Sequence, residues 1–363
     1  MRGTLAPPEP NGDKMNNELL DELNGIARTM VHPGKGILAA DESTGTIKKR
    51  FDSIGLESTE DNRRDYRELL FRTEDAMSEN ISGVILYDET IRQKAADGTP
   101  LVKLIEQAGS VPGIKVDMGA KDLAFHPGEK VTEGLTGLRE RLAEYHQLGA
   151  RFAKWRAVID ISRGGDRTMP SYSCLTANMH ALARYAALCQ EQRIVPIVEP
   201  EVLMDGDHDI DRCYEVTEQG LKILYTALFE ARVALEGTIL KPNMVIAGKK
   251  SDKQASTDEI AEKTVRCFRN SVPAAVPGIV FLSGGQSERE ATENLNTMNR
   301  DFADQMPWAL SFSYGRALQA STLDTWKGDK GNAEAAQRAF AHRAKMNGLA
   351  QKGAWTEAME DEA

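Results

Sequence analysis

Short apolar runs recur along the chain, and each is followed by a longer stretch whose apolar residues repeat at helical spacing. In order the runs are "GILAAD" (Gly36 to Asp41), "GVILYDE" (Gly83 to Glu89), "GIKVDM" (Gly113 to Met118), "RFAKWRAV" (Arg151 to Val158), "RIVPIVEPE" (Arg193 to Glu201), "TILKPNMV" (Thr238 to Val245), "GIVFLSGG" (Gly278 to Gly285) and "ALSFSYG" (Ala309 to Gly315). Amphipathic stretches such as "TANMHALARYAALCQEQ" and "VTEQGLKILYTALFEARVAL" separate them and are long enough for crossover helices. Eight strand and helix units predict an α/β protein built as a single (β/α)8 TIM barrel, a fold whose usual length brackets this chain. A doubly wound open sheet alternates strand and helix in the same way. Its nucleotide fingerprint is missing, because no G-x-G-x-x-G follows the first run and no G-x-x-x-x-G-K-[ST] occurs. The barrel is expected over residues 17–345, with a flexible arm over 1–16, where Pro7, Pro8 and Pro10 crowd together, and a tail over 346–363.

A buried strand favours apolar residues, so its polar exceptions carry information. Here they fall late in their runs: Asp41 in the first, Lys115 and Asp117 in the third, Lys154 and Arg156 in the fourth, Glu199 and Glu201 in the fifth, Lys241 in the sixth. The C-terminal rim is where barrel enzymes place their chemistry. Alternation puts Lys154 and Arg156 on one face of their strand, and Glu199 and Glu201 on one face of theirs. If those faces point inward, cations and carboxylates converge at the mouth; the alternative is a structural ion-pair network that closes the barrel.

Lys241 is the candidate nucleophile. An ammonium desolvated beside another cation, here Lys154, gives up its proton more readily, and the neutral amine can attack a carbonyl to form a Schiff base. Pro242 donates no backbone hydrogen bond and suits the point where the chain leaves the sheet. A snorkelling lysine at a strand end would read the same way. Glu199 can be placed to move protons at the carbinolamine. Glu201 is expected to pair with Lys154, and Asp41 to serve a different atom of the substrate.

Two turn-helix junctions suggest an anion site. "LSGGQSERE" and "SYGRALQ" put glycine just before a helix, which leaves free N–H groups and a positive dipole end at the rim. Ser283 and Arg316 add a hydroxyl and a fixed cation. Opposite them, Ser43, Thr46 and Arg50 in "DESTGTIKKR", with Lys115 nearby, could hold a second phosphate, although a capped helix start explains the Ser and Thr almost as well.

Composition narrows the partners. The chain has 363 residues, 41% hydrophobic and 28% charged, with a formal net charge of -10, which argues against general nucleic-acid binding and requires any anion to meet a local cluster of cations. No run of about eighteen apolar residues occurs, which argues against a membrane span. Cys174, Cys189, Cys213 and Cys267 are far apart with no C-x-x-C pair, the usage of free thiols in a reducing compartment, so a cytoplasmic location is expected. In "DGDHDID", Ile210 stands where a calcium loop needs glycine, so this reads as a polar loop and helix start. No histidine pair has zinc spacing. The basic "AGKKSDKQAS" reads as a solvated loop, with a lid as the alternative.

The stretches "GILAADEST", "FAKWRAV", "VEPEVLMDGDHD", "ILKPNMV", "FLSGGQSE" and "SYGRALQ", in this order from near Leu20 to near Lys345, resemble the class I fructose-bisphosphate aldolases. The resemblance implies a (β/α)8 fold and reversible cleavage of fructose 1,6-bisphosphate to dihydroxyacetone phosphate and glyceraldehyde 3-phosphate, with no metal or other cofactor. It also implies a homotetramer whose partners are these phosphorylated sugars. Carried over by motif, Lys241 matches the Schiff-base lysine, Lys154 the neighbouring catalytic lysine, Glu199 the proton-shuttling glutamate and Asp41 the aspartate at the cleaved bond. Glu201 and Arg156 are supporting groups. The phosphate near the imine would be held by Ser283, Gly284, Gly285, Ser313, Gly315 and Arg316, and the far phosphate by Ser43, Thr46, Arg50 and Lys115.

Two departures stand out: Met118 follows "KVD" where the family usually has lysine, and the last tyrosine is Tyr314, whereas animal members end in a tyrosine that assists proton exchange. Two rival readings remain. Another Schiff-base barrel would keep Lys241 but need one phosphate site, and a binding or scaffold protein would keep only the fold.

Overall fold

The computed structural model describes residues 17–161 and 169–361, so the arm expected over 1–16 lies outside the described residues. Eight parallel strands close a barrel in which every strand lies beside its sequence neighbours: β1 Gly36–Ala40, β2 Ile81–Leu86, β3 Val111–Lys115, β4 Phe152–Ile159, β5 Val195–Val202, β6 Ile239–Leu240, β7 Gly278–Phe281 and β8 Ala309–Tyr314. Helices such as Tyr172–Glu191, Ile210–Glu230, Thr257–Ser271 and Glu288–Asp301 return the chain between strands. Their starts are set locally. Ser171, Asp209, Ser256 and Ser287 each accept a hydrogen bond from the backbone N–H three residues on, and Ser287 with Glu290 completes a capping box. "DGDHDID" is thus a loop and a helix cap.

Alternation along the strands divides the barrel interior into two levels. Ile37, Ala39, Ile85, Phe152, Val195, Ile197, Ile239 and Val280 form an apolar floor, and the first helix, Asn17–Met30, packs Leu23, Ala27 and Met30 into the same cluster. Two residues further along the same inward faces come Asp41 after Ala39, Lys154 after Phe152, Glu199 after Ile197 and Lys241 after Ile239. A dry floor therefore lies directly beneath a charged mouth.

Phe152 fills the floor because glycine stands opposite it. A Cβ built on Gly113 would overlap the Phe152 ring, and one on Gly83 would come within 3.0 Å of it. Gly113→Ala should therefore destabilise the fold by about 1–3 kcal/mol through overpacking, measured as a lower denaturation midpoint in urea; an unchanged midpoint would mean the ring moves aside without cost.

Three features depart from the expected layout. β6 has two residues, not eight, because Pro242 has no N–H to continue the ladder. Its buried continuation is satisfied individually: the Asn243 side chain accepts from Val202 N (3.0 Å), and the Thr264 hydroxyl accepts from Val245 N (2.9 Å). An antiparallel hairpin, Ala120–Asp122 with Lys130–Thr132, follows β3 with too few apolar residues to signal itself. The boundary placed at 345 falls inside a helix, Ala333–Gln351. Beyond that helix Trp355 and Glu360 are buried, with Glu360 accepting from Arg343 (3.0 Å) and from the Trp355 indole (2.9 Å). That buried ion pair docks the expected tail onto the barrel domain.

Candidate active site

The inward positions of β1, β4, β5 and β6 meet at the mouth. Lys154 Nζ lies 2.7 Å from Asp41 Oδ2, 3.4 Å from Glu199 Oε2 and 3.9 Å from Asp117 Oδ2. Lys241 Nζ lies 3.2 Å from Glu199 Oε1. One carboxylate therefore touches both amines. Lys154, Glu199 and Lys241 are each at most 4% exposed, so these charges interact where water screens them little. Among the described residues Glu199 Oε2 has the Lys154 ion pair but no hydrogen bond, and the buried hydroxyl of Ser313 has no hydrogen-bond partner.

Charge assignments follow from these contacts. Burial alone would raise the Asp41 pKa, but Lys154, Lys241 and Lys115 outweigh it and hold the carboxyl well below its ordinary value. Burial likewise opposes the Lys154 ammonium, while Asp41, Glu199 and Asp117 hold its pKa above the usual lysine value. Arg156 is held protonated by Glu201 in the same way.

Asp41, Lys154, Arg156, Glu199, Glu201 and Lys241 line a cavity of about 310 Å³, together with Ser43, Thr46, Arg50, Lys115, Ser283, Gly284, Gly285, Ser313, Gly315 and Arg316. Every residue that the sequence offered as a catalytic or phosphate-binding candidate lines this one cavity. On one side, Gly284 and Gly285 have φ of 56° and 81°, a left-handed pair that side chains disfavour, and neither N–H donates to an acceptor among the described residues. Gly315 precedes the helix Arg316–Trp326. Opposite, Ser43 occupies the cap position of helix Thr44–Ser53, yet its side chain makes no capping bond and instead meets the Thr46 hydroxyl at 3.1 Å. Helix capping therefore does not account for that hydroxyl. Arg50 pairs with Glu42 (2.5 Å), and Lys115 with Asp117 (2.7 Å).

Two pairings differ from expectation. Glu201 pairs with Arg156, not Lys154: it sits level with Val158, a full pleat above Glu199, where a guanidinium reaches and the Lys154 ammonium does not. The group touching Lys241 is the Glu199 carboxylate, which lies between it and the cation expected beside it. Asp41 contacts Lys154 directly, so it shares the same network and does not stand apart from it.

The family model for fructose-bisphosphate aldolase class-I matches residues 22–363. The chain belongs to the class I fructose-bisphosphate aldolase family. It is 59% identical over 337 residues to a "Probable fructose-bisphosphate aldolase class 1" of Xanthomonas campestris pv. campestris, covering 93% of this chain and 99% of that protein. It is 55% identical over 339 residues to "Fructose-bisphosphate aldolase 6, cytosolic" of Arabidopsis thaliana, covering 93% of each. The solved fructose-bisphosphate aldolase of Plasmodium falciparum, in complex with TRAP and a small molecule inhibitor, superposes with a TM-score of 0.91 at 48% identity, over 95% of this chain and 98% of that one. Membership makes the chain a lyase whose substrates are phosphorylated sugars.

Three residues of this aldolase site escaped the sequence reading of roles. Asp117 was visible as a polar exception, and it positions Lys115 while accepting from Arg156 N (3.3 Å). Glu42 holds Arg50 and contacts the buried Arg67. Lys249, in the loop read as solvated, lines the cavity; its only signal was a lysine after a glycine just past a barrel strand. Among the described residues no cluster of three or more His, Cys, Asp or Glu could hold a metal ion, and no helix is long and apolar enough to cross a membrane.

Proposed function

We propose that this chain cleaves fructose 1,6-bisphosphate through a Schiff base on Lys241, with Glu199 as its proton carrier and Asp41 as the base at the cleaved bond. The observation that carries this reading is the Glu199 carboxylate set between two buried amines, both on inward strand faces that carry the apolar floor. A nucleophilic amine must be neutral, and the nearest acceptor for its proton is Glu199 Oε1. Lys241 Nζ attacks the C2 ketone, Glu199 returns a proton to the carbinolamine hydroxyl, and water leaves an iminium. Asp41 takes the C4 hydroxyl proton as the C3–C4 bond breaks, and the electron pair moves into the iminium to give an enamine. Glyceraldehyde 3-phosphate departs, and protonation at C3 followed by hydrolysis releases dihydroxyacetone phosphate. Lys154 keeps Asp41 ionised beforehand. The iminium is the electron sink, so EDTA should leave activity unchanged.

Ser283, Gly284, Gly285, Ser313, Gly315 and Arg316 would hold the phosphate nearer the imine, and Ser43, Thr46, Arg50 and Lys115 the far one. Two anchors fix an open-chain ketose in register, and that positioning is itself a large part of catalysis. Supporting the far site, its hydroxyls are free of capping duty. Asp41→Ala separates the roles. It should still form the borohydride-reducible ketose adduct but cleave the bisphosphate about 10²–10⁴-fold more slowly, the range for loss of a general base. Unimpaired cleavage would remove Asp41 from its role.

We also propose that the chain works in the cytoplasm as a homotetramer, as the family membership suggests. Its four cysteines are free and buried, and the Arabidopsis relative is named cytosolic. Phe125, fully exposed between the hairpin strands, and Tyr172, 69% exposed, offer apolar surface for subunit contact. Light scattering on the purified chain would read the mass directly.

A further inference from the structure

Nearly every cation lining the mouth already has a carboxylate: Lys154 has Asp41 and Glu199, Lys241 has Glu199, Arg156 has Glu201, Arg50 has Glu42 and Lys115 has Asp117. Two do not. Neither Lys249 nor Arg316 forms an ion pair or a side-chain hydrogen bond with any described residue, yet both converge on Gly285. A Cβ built there would collide with Lys249 Nζ and lie 3.0 Å from Arg316 Nη2. Two unpaired like charges over a left-handed glycine pair with free N–H groups are repulsive when the site is empty, and an anion between them removes the repulsion.

Lys249 is held there by its backbone. Gly248 N donates to His208 O (2.9 Å), Lys249 N to Met204 O (2.8 Å) and Lys250 N to Gly206 O (2.9 Å), so three bonds lash this loop to the one after β5. The approach is close enough that a Cβ on Gly248 would collide with the Gly206 carbonyl. Met204, from the same partner loop, packs against Gly284, where a built Cβ would meet its sulfur at 3.1 Å. The lysine and the glycine pair thus share one scaffold, and a solvated loop would need none of these bonds.

We propose that Lys249 is a phosphate ligand of the site next to the imine, supplying a second cation opposite Arg316 and setting the preference for phosphorylated over unphosphorylated ketones. This rests on the assignment of Lys241 as the Schiff-base lysine. With both cations and the glycine N–H groups on one anion, removal of Lys249 costs one charge-assisted contact, about tenfold or more in affinity.

The test uses the full chain and the variants Lys249→Met and Lys249→Arg. Half-saturation of the borohydride-trapped adduct is measured with dihydroxyacetone phosphate and with dihydroxyacetone, and binding of inorganic phosphate is measured by calorimetry. Lys249→Met should raise half-saturation for the phosphorylated ketone about tenfold or more, leave dihydroxyacetone unchanged and weaken inorganic phosphate. Lys249→Arg should restore most of the affinity. Equal shifts for both ketones, or unaltered phosphate binding, would overturn the proposal. Failure of the underlying mechanism would look different: no adduct would form even in the unsubstituted chain, while the calorimetric loss on Lys249→Met would still report the cation's contact with phosphate.

Discussion

Lys241→Met should abolish the reducible ketose adduct and lower bisphosphate cleavage on the order of 10⁵-fold or more, the scale seen when a covalent nucleophile is removed. Methionine nearly matches the volume lost at a site 4% exposed, so the floor beneath, Ile239 and Ile197, stays packed. Glu199 loses one of its two amines but keeps Lys154 at 3.4 Å, and the fold should survive with a loss of about 1–3 kcal/mol. Steady-state kinetics and urea denaturation on the same preparation separate the two effects. Retention of a few per cent of wild-type turnover in the folded variant would place the nucleophile elsewhere.

The largest stability effect belongs to Lys154→Met. It strips the shared cation from Asp41, Glu199 and Asp117, all within reach of one ammonium, and breaking a buried ion pair from one side costs about 3–5 kcal/mol. Its pH signature is distinctive. In the unsubstituted chain the Asp41 pKa is held below its ordinary 3.8, so its contribution to stability is complete above that value and is lost as pH falls through the folded-state value. The Lys154 pKa is held above its ordinary 10.5, so its contribution is complete below that value and is lost as pH rises through the folded-state value. Between the two, the pair contributes evenly. Without Lys154, burial acts on Asp41 with its main opposing cation gone, and its folded-state pKa rises. The variant should then be least stable near neutrality and recover toward pH 4, a range over which the parent's pair contributes a level amount. Urea midpoints measured across the acidic range check this, and parallel slopes would contradict the coupling.

Much of the site was legible because alternation along a strand carries geometry. Lys154 follows Phe152 and Glu199 follows Ile197 by two residues, so once the lower residues are inside, the upper ones must be as well. Lys241 before Pro242 marked both the proposed nucleophile and the point where the ladder stops. Pairing was less legible, since it depends on the relative height of neighbouring strands. Glu201 could reach Lys154 or Arg156 on paper, and only the register that sets it beside Val158 decides for Arg156. The role of Ser43 was ambiguous for a related reason, because a cap and a ligand call for the same residue type. Lys249 carried almost no signal, since its place comes from a loop lashed to another loop far away in sequence. The C-terminal segment carried little signal because its hold is a few buried polar contacts, Glu360 with Arg343 and Trp355 and the Trp355 N–H with Asn296, and not an apolar stripe.

The most direct test is chemical. The chain would be incubated with dihydroxyacetone phosphate, reduced with borohydride, digested, and the modified peptide sequenced by mass spectrometry. The site described here predicts one adduct, on Lys241 within "ILKPNMV". An adduct on Lys154 or another lysine, or none in active enzyme, would contradict it.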